Sequence, residues 1–453
     1  MKARGIREDG AGGCPAPRVG EGEMLNVLRK LTTFIMAGGK GERLYPLTRD
    51  RAKPAVPFGG VYRIIDFTLS NCINSGIGKI HILTQYKSIS LARHLKMGWN
   101  IFHSELGEFI EVLPAQQRYG THWYRGTADA IYQNIYTIER ENPDYVLILA
   151  GDHVYKMDYS RMLRSHIDRG ADVTVGVVDL PKEQSRHFGV LELDKADQIV
   201  GFEEKPRRPK TLPNRPDRIC ASMGIYIFSV DTLYGELIPD SREDSEHDFG
   251  KNILPQMLGR RKLLAYHFLD ENQKETPYWR DIGTLDAYYE ANMDLVKVTP
   301  EFNLYDQRWP VRTYQPQLPP VKMVFADPGD GARRGQALDS IISTGCVISG
   351  GQVIRSVLSP AVRVNSYASV EDSVLMDGVD IGRRCKVRKA IIDKYVDILP
   401  DTTIGVDPKE DRKRFHVTDG GIVVIPKGKI IGPGEERSRW RDHSRPQTLP
   451  SVS

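Results

Sequence analysis

FIMAGGKGERLYPLTRDRAKPAVPFGG, Phe34 to Gly60, follows a short apolar strand with five glycines, three prolines and five Lys or Arg side chains in 27 residues. Gly38, Gly39 and Gly41 let the backbone turn with positive φ and bring amide N–H groups close to a ligand. Such a turn suits anionic oxygens, and Arg43 adds a forked, charge-assisted contact. Neither GxxxxGK[ST] nor a completed GxGxxG is present, because Leu44 stands at the third glycine position. Read alone, the segment is equally a structural β-turn. Lys53-Pro54, ten residues after Arg43 in a proline-stiffened stretch, tips the balance if both cations converge on the turn, because packing alone does not explain unpaired buried charge.

Outward from this segment, short apolar strands alternate with helical periodicity from Leu31 to about Val298. That alternation predicts an α/β domain with a Rossmann-like, mainly parallel sheet covered on both faces. Strands are expected at Thr33 to Met36, Ile80 to Thr84, Val146 to Ala150, Val173 to Val178 and Gly224 to Phe228. Helices are expected at Asp158 to Arg169 and Leu285 to Val298. Ligands in such sheets bind beyond the carboxyl ends of the strands. The strand VLILAGDHVY ends at Gly151-Asp152, so Asp152 is poised for a ligand.

RWPVRTYQPQLPP, Arg308 to Pro320, breaks the pattern and reads as a linker. Beyond it the apolar residues step by 17: Val347, Val364, Ile381 and Ile398; Val353, Val370, Val387 and Ile404; Leu358, Leu375 and Ile392. Three anchors per repeat, spaced 6, 5 and 6, predict a triangular parallel β-helix of the hexapeptide type, a class that is usually left-handed. The expected domains are a disordered extension over 1–30, a catalytic domain over 31–307, a linker over 308–335, the β-helix over 336–432 and a flexible tail over 433–453.

The 453 residues are too many for one core, and 40% hydrophobic with 27% charged residues is an ordinary soluble composition. No apolar run approaches the roughly 18 residues needed to cross a bilayer. Net charge is only +4, with a modest cationic excess in the two tails, which argues against nucleic acid as the main partner. Five cysteines without a CxxC pair point to neither a disulfide framework nor a zinc site, and a reducing cytoplasm fits. The first 23 residues lack the apolar core of a secretory signal. Met24 is a second plausible start.

AGGKGERLYPLTRDRAKPAVPFGGVYRIIDFTLSNCINSG, with WYRGTADA, LAGDHVYKMDY, FEEKP, SMGIYIF, HDFGKNILP and YWRDIGTLDAYYEAN, resembles the signature of sugar-nucleotide pyrophosphorylases. The closest resemblance is to their glucose-1-phosphate adenylyltransferase (ADP-glucose pyrophosphorylase) family, and it covers roughly Leu31 to Ile425. It implies that ATP and glucose 1-phosphate react with Mg²⁺ to give ADP-glucose for glycogen or another α-glucan. Catalysis would come from alignment and charge neutralisation, with no general base. It further implies Arg43, Lys53 and Asp152 as catalytic groups and Asp152 with Asp281 as metal holders. Either carboxylate alone reads as a cap or turn residue. The nucleotide would be bound by Gly38, Gly39, Gly41, Gln117, Trp123, Tyr124, Gly126, Thr127 and Asp129. Glucose 1-phosphate would meet Glu204, Lys205, Ser222, Tyr226, Asp248, Phe249 and Trp279, although Tyr226 and Phe249 read equally as core. His153, with no second His or Cys at ligand spacing, does not indicate zinc.

Asp50 stands where enterobacterial members carry a lysine that senses fructose 1,6-bisphosphate, and Pro57 replaces a frequent histidine. The expected effector is therefore a sugar monophosphate such as fructose 6-phosphate or a carboxylate such as pyruvate, held by Arg51, Arg63 and Lys394. An acyltransferase on the β-helix would need a histidine base, and 341–415 contains none. A silent regulatory subunit would lose catalytic positions that are present here. Uridylyl, thymidylyl and guanylyl transfer are disfavoured by the branch-specific motifs. A homotetramer is implied by the resemblance.

Overall fold

The computed structural model describes residues 21–118, 121–274, 277–327 and 333–439. The expectation of disorder over residues 1–20 and the end of the expected tail, 440–453, lie outside the described residues.

Nine strands build the sheet of the first domain: β1 (Leu31–Met36), β2 (Lys79–Thr84), β3 (Phe109–Pro114), β4 (Tyr145–Ala150), β5 (Val173–Pro181), β6 (Gly189–Leu193), β7 (Ile199–Glu204), β8 (Arg218–Ser229) and β9 (Leu263–His267). The order is β7-β6-β8-β4-β1-β2-β3, with β5 also on β8 and β9 on β5. Strand β1 is buried on both faces, which is why it reads as an apolar run rather than an alternation. Its Leu31 and Ile35 enter one core with Leu147 and Leu149 of β4. Its Phe34 enters the other core with Val146 and Ile148.

Pairing is parallel from β4 through β1 and β2 to β3. Strand β8 runs antiparallel to β4, β5 and β6, so the sheet is mixed, with its parallel half under the glycine turn. The expected strand at Gly224 to Phe228 is the end of this longer β8. Its register shifts between Ser222 and Tyr226, around Gly224 at φ 70°. This bulge re-aims the side chains on either side of it.

Three expected boundaries are corrected. Glu21–Arg29 is a helix rather than part of a disordered extension. Met24 and Leu28, one turn apart, are buried in the core beneath it, and that stripe is what orders the segment. The proline-rich linker is a docked strap. Trp309 Nε1 donates to Asn71 Oδ1 at 2.8 Å, the Arg312 N–H to Ser70 Oγ at 2.8 Å, and Thr313 Oγ1 to Asp66 Oδ2 at 2.6 Å. The β-helix already starts inside the linker range, where Lys322–Val324 pairs in parallel with Val347–Ser349. At the other end, Lys429–Gly432 pairs antiparallel with Glu435–Ser438, so the expected tail begins as a strand.

The second domain is the expected left-handed parallel β-helix, with three parallel ladders stacked coil on coil. Val353, Val370, Val387 and Ile404 pair in series, as do Leu358, Leu375 and Ile392. In the remaining ladder Ile348, not Val347, pairs with Val364 and is fully buried. The coil from Ile348 to Val364 is one residue short of the 17-residue step, and in a strand a slip of one residue exchanges the inward and outward faces. One face of the β-helix packs on the first domain. Phe58, Tyr288 and Leu295 share a single buried cluster with Val357, Val374, Met376 and Ile391.

Candidate active site

Strand β1 is followed by the glycine turn, anchored where the Ala37 N–H donates to Leu83 O at 2.9 Å. Gly41 sits at φ 65° and opens the short helical turn Glu42–Leu44. A Cβ there would lie 3.0 Å from Thr48 Cγ2 and 3.1 Å from Lys53 Cβ. Thr48 Oγ1 donates to Gly41 O at 2.9 Å and fixes the turn over the following loop. At Gly39, by contrast, a Cβ would meet nothing within 4 Å. The open space is a cleft of about 530 Å³ lined by Gly39, Gly41, Arg43, Lys53, Asp152 and Gly283. Gly41→Ala is expected to cost about 1–2 kcal/mol in thermal unfolding through the left-handed backbone. Gly39→Ala should leave the unfolding temperature unchanged while raising the KM for the nucleotide.

Two carboxylates distant in sequence meet across this cleft. After β4, Gly151 turns over the end of β1, its N–H donating to Met36 O at 3.1 Å. A Cβ at Gly151 would press on Ile35 Cγ2 at 3.0 Å, so this close crossing requires glycine. The chain then enters the strand His153–Tyr155, which pairs antiparallel with Trp279–Asp281 and sets Asp281 opposite His153. That two-strand ladder brings Asp281 beside Asp152.

Lys53 is carried on the short helical turn Lys53–Ala55, which Pro54 stiffens. Its ammonium donates to Asp152 Oδ2 at 2.8 Å and to Asp281 Oδ1 at 2.7 Å. Arg43 reaches the other side of Asp281, with Nη2 3.9 Å from Oδ2. Burial would push the Asp152 carboxyl up, but the Lys53 ammonium, with His153 and Arg43, holds it down at about 2. Burial likewise opposes the Lys53 charge, and the two carboxylates more than offset it, raising the ammonium above its ordinary value.

The donor set fits a divalent cation. Ligand atoms of Asp152, His153 and Asp281 lie within 4.8 Å of one another. Hard carboxylate oxygens beside a phosphate-sized cleft suit Mg²⁺-like ions, which take one or two carboxylates plus phosphate oxygens. The Lys53 ammonium already stands as a cation between the pair. Sequence reasoning set His153 aside as a metal ligand for want of a second His or Cys, and it missed Gly283 as a neighbour of the group. At Gly283 a Cβ would lie 3.0 Å from Asp281 Oδ2 and 3.3 Å from Arg43 Cζ. The only sequence signal was the glycine two residues beyond Asp281.

The residues expected around the sugar phosphate form a second group. Tyr226 and Phe249 rings lie 5.6 Å apart, and the Tyr226 hydroxyl is 3.5 Å from Ser222 Oγ. Burial pushes the Tyr226 phenol well up, so it stays a neutral hydroxyl. Glu204 lies against Gly250, where a Cβ would meet its Oε2 at 2.7 Å, and Lys205 pairs with Glu204 at 2.7 Å. Asp248 accepts from the Gly250 and Lys251 N–H groups and from Thr127 Oγ1. Asp248 is therefore a cap, and Thr127 joins this group rather than a separate nucleotide surface. Trp279 packs edge-on to His153 at 4.9 Å, and a Cβ at Gly224 would lie 3.9 Å from His153 Cε1. The bulge of β8 thereby abuts His153, the residue after Asp152.

The nucleotide loop is less convergent. Gly126 is held against backbone, since a Cβ there would lie 2.2 Å from Glu246 O. Asp129 is buried, accepting from the Arg125 N–H and from Gln133 Nε2 at 2.9 Å each, so it braces its own helix. Tyr124 accepts from Asn134 Nδ2 and lines a separate cleft of about 200 Å³ with Arg118. Gln117 donates to Thr121 O, and Trp123 is exposed.

Arg51, Arg63 and Lys394 share a cleft of about 630 Å³ between the domains, with Arg93, Asp50 and Asp377. Arg51 is engaged: Nη2 bonds Asp393 Oδ1 at 2.8 Å, with both side chains buried. Arg63 donates to Ser90 O at 2.8 Å. Lys394 pairs with Asp377 at 2.9 Å, and burial pulls its ammonium below the ordinary value.

Residues 32–298 match the nucleotidyl transferase family, and 319–425 match the GlmU-like C-terminal hexapeptide family. Among curated relatives, the glucose-1-phosphate adenylyltransferase of Koribacter versatilis (strain Ellin345) is 56% identical over 396 residues, 87% of this chain and 94% of that protein. The Rhodopirellula baltica glucose-1-phosphate adenylyltransferase is 56% identical over 408 residues, 89% of this chain and 92% of its own. Glucose-1-phosphate adenylyltransferase 2 of Alkalilimnicola ehrlichii is 51% identical over 411 residues, 91% and 96% of the two chains.

Proposed function

The chain belongs to the glucose-1-phosphate adenylyltransferase family of nucleotidyl transferases, and from that membership we propose that the cleft between the glycine turn and the Asp152–Asp281 pair is where ATP meets glucose 1-phosphate. The protein is a nucleotidyltransferase that makes ADP-glucose and diphosphate from these substrates. A phosphate oxygen of glucose 1-phosphate attacks the α-phosphorus of ATP. The bond from that phosphorus to the β-phosphate oxygen breaks, and diphosphate leaves with the electron pair. The nucleophile is already an anion, so no proton need be removed.

The observation that carries this reading is the Lys53 ammonium held between Asp152 and Asp281 at the rim of the glycine turn. In it, the amides around Gly38 to Gly41 take the phosphate chain, while Arg43 and Lys53 hold charge that builds on the α-phosphoryl and leaving oxygens. Asp152 and Asp281 would hold Mg²⁺, which when bound neutralises phosphate charge. Glu204, Lys205, Ser222, Tyr226 and Trp279 orient the glucose phosphate. Gln117, Trp123, Tyr124 and Gly126 form the nucleotide side, and Thr127 ties it to Asp248 of the sugar group.

The expected test is an assay of each nucleoside triphosphate with glucose 1-phosphate and Mg²⁺, following diphosphate release. ATP should exceed UTP, dTTP and GTP by at least about a hundredfold in kcat/KM, the discrimination a site with fitted hydrogen bonds reaches; equal rates would sink the reading. The cationic interdomain cleft supports a sugar monophosphate or carboxylate effector. In the same assay fructose 6-phosphate or pyruvate should activate, and activation by fructose 1,6-bisphosphate alone would contradict this. Exposed Met323, Phe325 and Leu338 on the β-helix offer apolar surface for self-association, and the proposed assembly is a homotetramer. Among the described residues no helix is long and apolar enough to cross a membrane. The proposed setting is the cytoplasm, with ADP-glucose feeding glycogen-type glucan synthesis.

A further inference from the structure

His153 lies one residue beyond Asp152 and directly across the two-strand ladder from Asp281. Residues opposed in such a ladder project to the same face, so the imidazole and the Asp281 carboxylate emerge together. His153 Nε2 is 3.6 Å from Asp152 Oδ1, the oxygen that Lys53 leaves open by bonding Oδ2. The other ring nitrogen, Nδ1, is buried without a hydrogen-bond partner. Trp279 packs edge-on against the ring on one side, and the bulge at Gly224 lies on another.

Packing does not account for this histidine. A leucine or phenylalanine would fill the space beside Trp279 without burying an unpartnered nitrogen, which costs about 1–3 kcal/mol. Around a divalent ion with bonds of about 2.1 Å, adjacent ligands stand about 3 Å apart and opposite ones about 4.2 Å. At 3.6 Å the imidazole nitrogen and the Asp152 oxygen need to close by about 0.6 Å to stand as adjacent ligands, and the whole triad already lies within 4.8 Å.

We infer that His153 is a third protein ligand, through an imidazole nitrogen, of the divalent cation held by Asp152 and Asp281. The inference rests on the reading of that pair as the metal holders. A nitrogen in an otherwise oxygen set moves affinity from Mg²⁺ toward Mn²⁺ and Co²⁺. The site is then tuned for a softer ion than its carboxylates alone would select.

The test is the pulsed EPR spectrum of the full-length protein loaded with Mn²⁺ and pyrophosphate, a probe that contains no nitrogen. Nitrogen modulation from a directly bound imidazole is expected in the unaltered protein and should vanish in His153→Gln. Mn²⁺ affinity should fall about tenfold in that variant, and Mg²⁺ affinity by less. Bound Mn²⁺ that is lost in Asp152→Asn/Asp281→Asn but shows no nitrogen coupling overturns the histidine ligand and leaves the carboxylate pair standing. Mn²⁺ binding indifferent to the double variant overturns both. Should His153→Gln fail to fold by circular dichroism, the unaltered protein's spectrum decides alone.

Discussion

Lys53→Met is expected to lower kcat by about a thousandfold, the scale seen when one charge-stabilising donor is removed from a group-transfer site. Methionine keeps the length and apolar stem of the side chain, so the short turn Lys53–Ala55 should persist. What disappears is the one ammonium bonded to both Asp152 and Asp281. The loss should appear in kcat more than in KM, because the charge matters most when α-phosphoryl and leaving oxygens carry their greatest negative charge.

A second signature separates this from general damage. With the ammonium gone, burial pushes the Asp152 carboxyl up from about 2. The unaltered bridge behaves in the opposite sense. Asp152 is depressed, so its stabilisation is complete above the ordinary aspartate value of about 3.9 and is lost as pH falls toward 2. Lys53 is raised, so its share is complete below the ordinary lysine value and is lost as pH rises through the folded one. Unfolding followed against pH should therefore show a plateau for the unaltered protein and a displaced acid limb in Lys53→Met. Turnover within about tenfold of the unaltered enzyme would remove Lys53 from the charge-stabilising role.

What was legible in the sequence follows from which forces are local. The glycine turn was readable because Gly41 must adopt a left-handed backbone, and the end of β4 because Gly151 must pass close over β1; both needs leave a residue-type mark. The β-helix was readable because each coil places an aliphatic side chain inward at a fixed step. The exception, Val347, failed where the coil from Ile348 to Val364 drops one residue, a change that no composition signals. The meeting of Asp152 with Asp281 depends on a three-residue ladder between distant strands, too short to carry periodicity. It entered through family resemblance, and His153 was set aside because no second His or Cys stands at ligand spacing along the chain, whereas its partner Asp281 lies across that ladder. Asp129 and Asp248 bear on the same point. Carboxylates in motif positions turned out to satisfy their own backbone and neighbours, a use that sequence cannot separate from ligand binding. The strap over 308–320 looked like a linker because prolines mark irregular backbone whether it is free or docked.

Arg51→Ala is expected to destabilise the chain by about 3–5 kcal/mol, the range for removing one partner of a buried ion pair. The Arg51 and Asp393 side chains are only 4% and 1% exposed, and they join the first domain to the β-helix. Truncating the arginine strands a carboxylate whose remaining contact is the neighbouring Lys394 N–H at 2.7 Å. The pair itself is not expected to be worth that much. Replacing both residues, as Arg51→Met with Asp393→Leu, removes the cost of burying two charges along with their attraction, and should recover most of the loss. Urea unfolding of the three variants measures this directly, and a single-variant loss below about 1 kcal/mol would show that the pair is solvated in solution. The same set of variants reports on catalysis. Arg51 lies two residues before Lys53 on a segment stiffened by Pro54, so the β-helix grips, through Asp393, the very stretch that carries the bridging ammonium. Arg51→Ala should therefore lose turnover at temperatures where it remains folded. The double variant should regain stability without regaining all of that activity, because an apolar contact restores burial but not the directional bond that sets the position of Lys53.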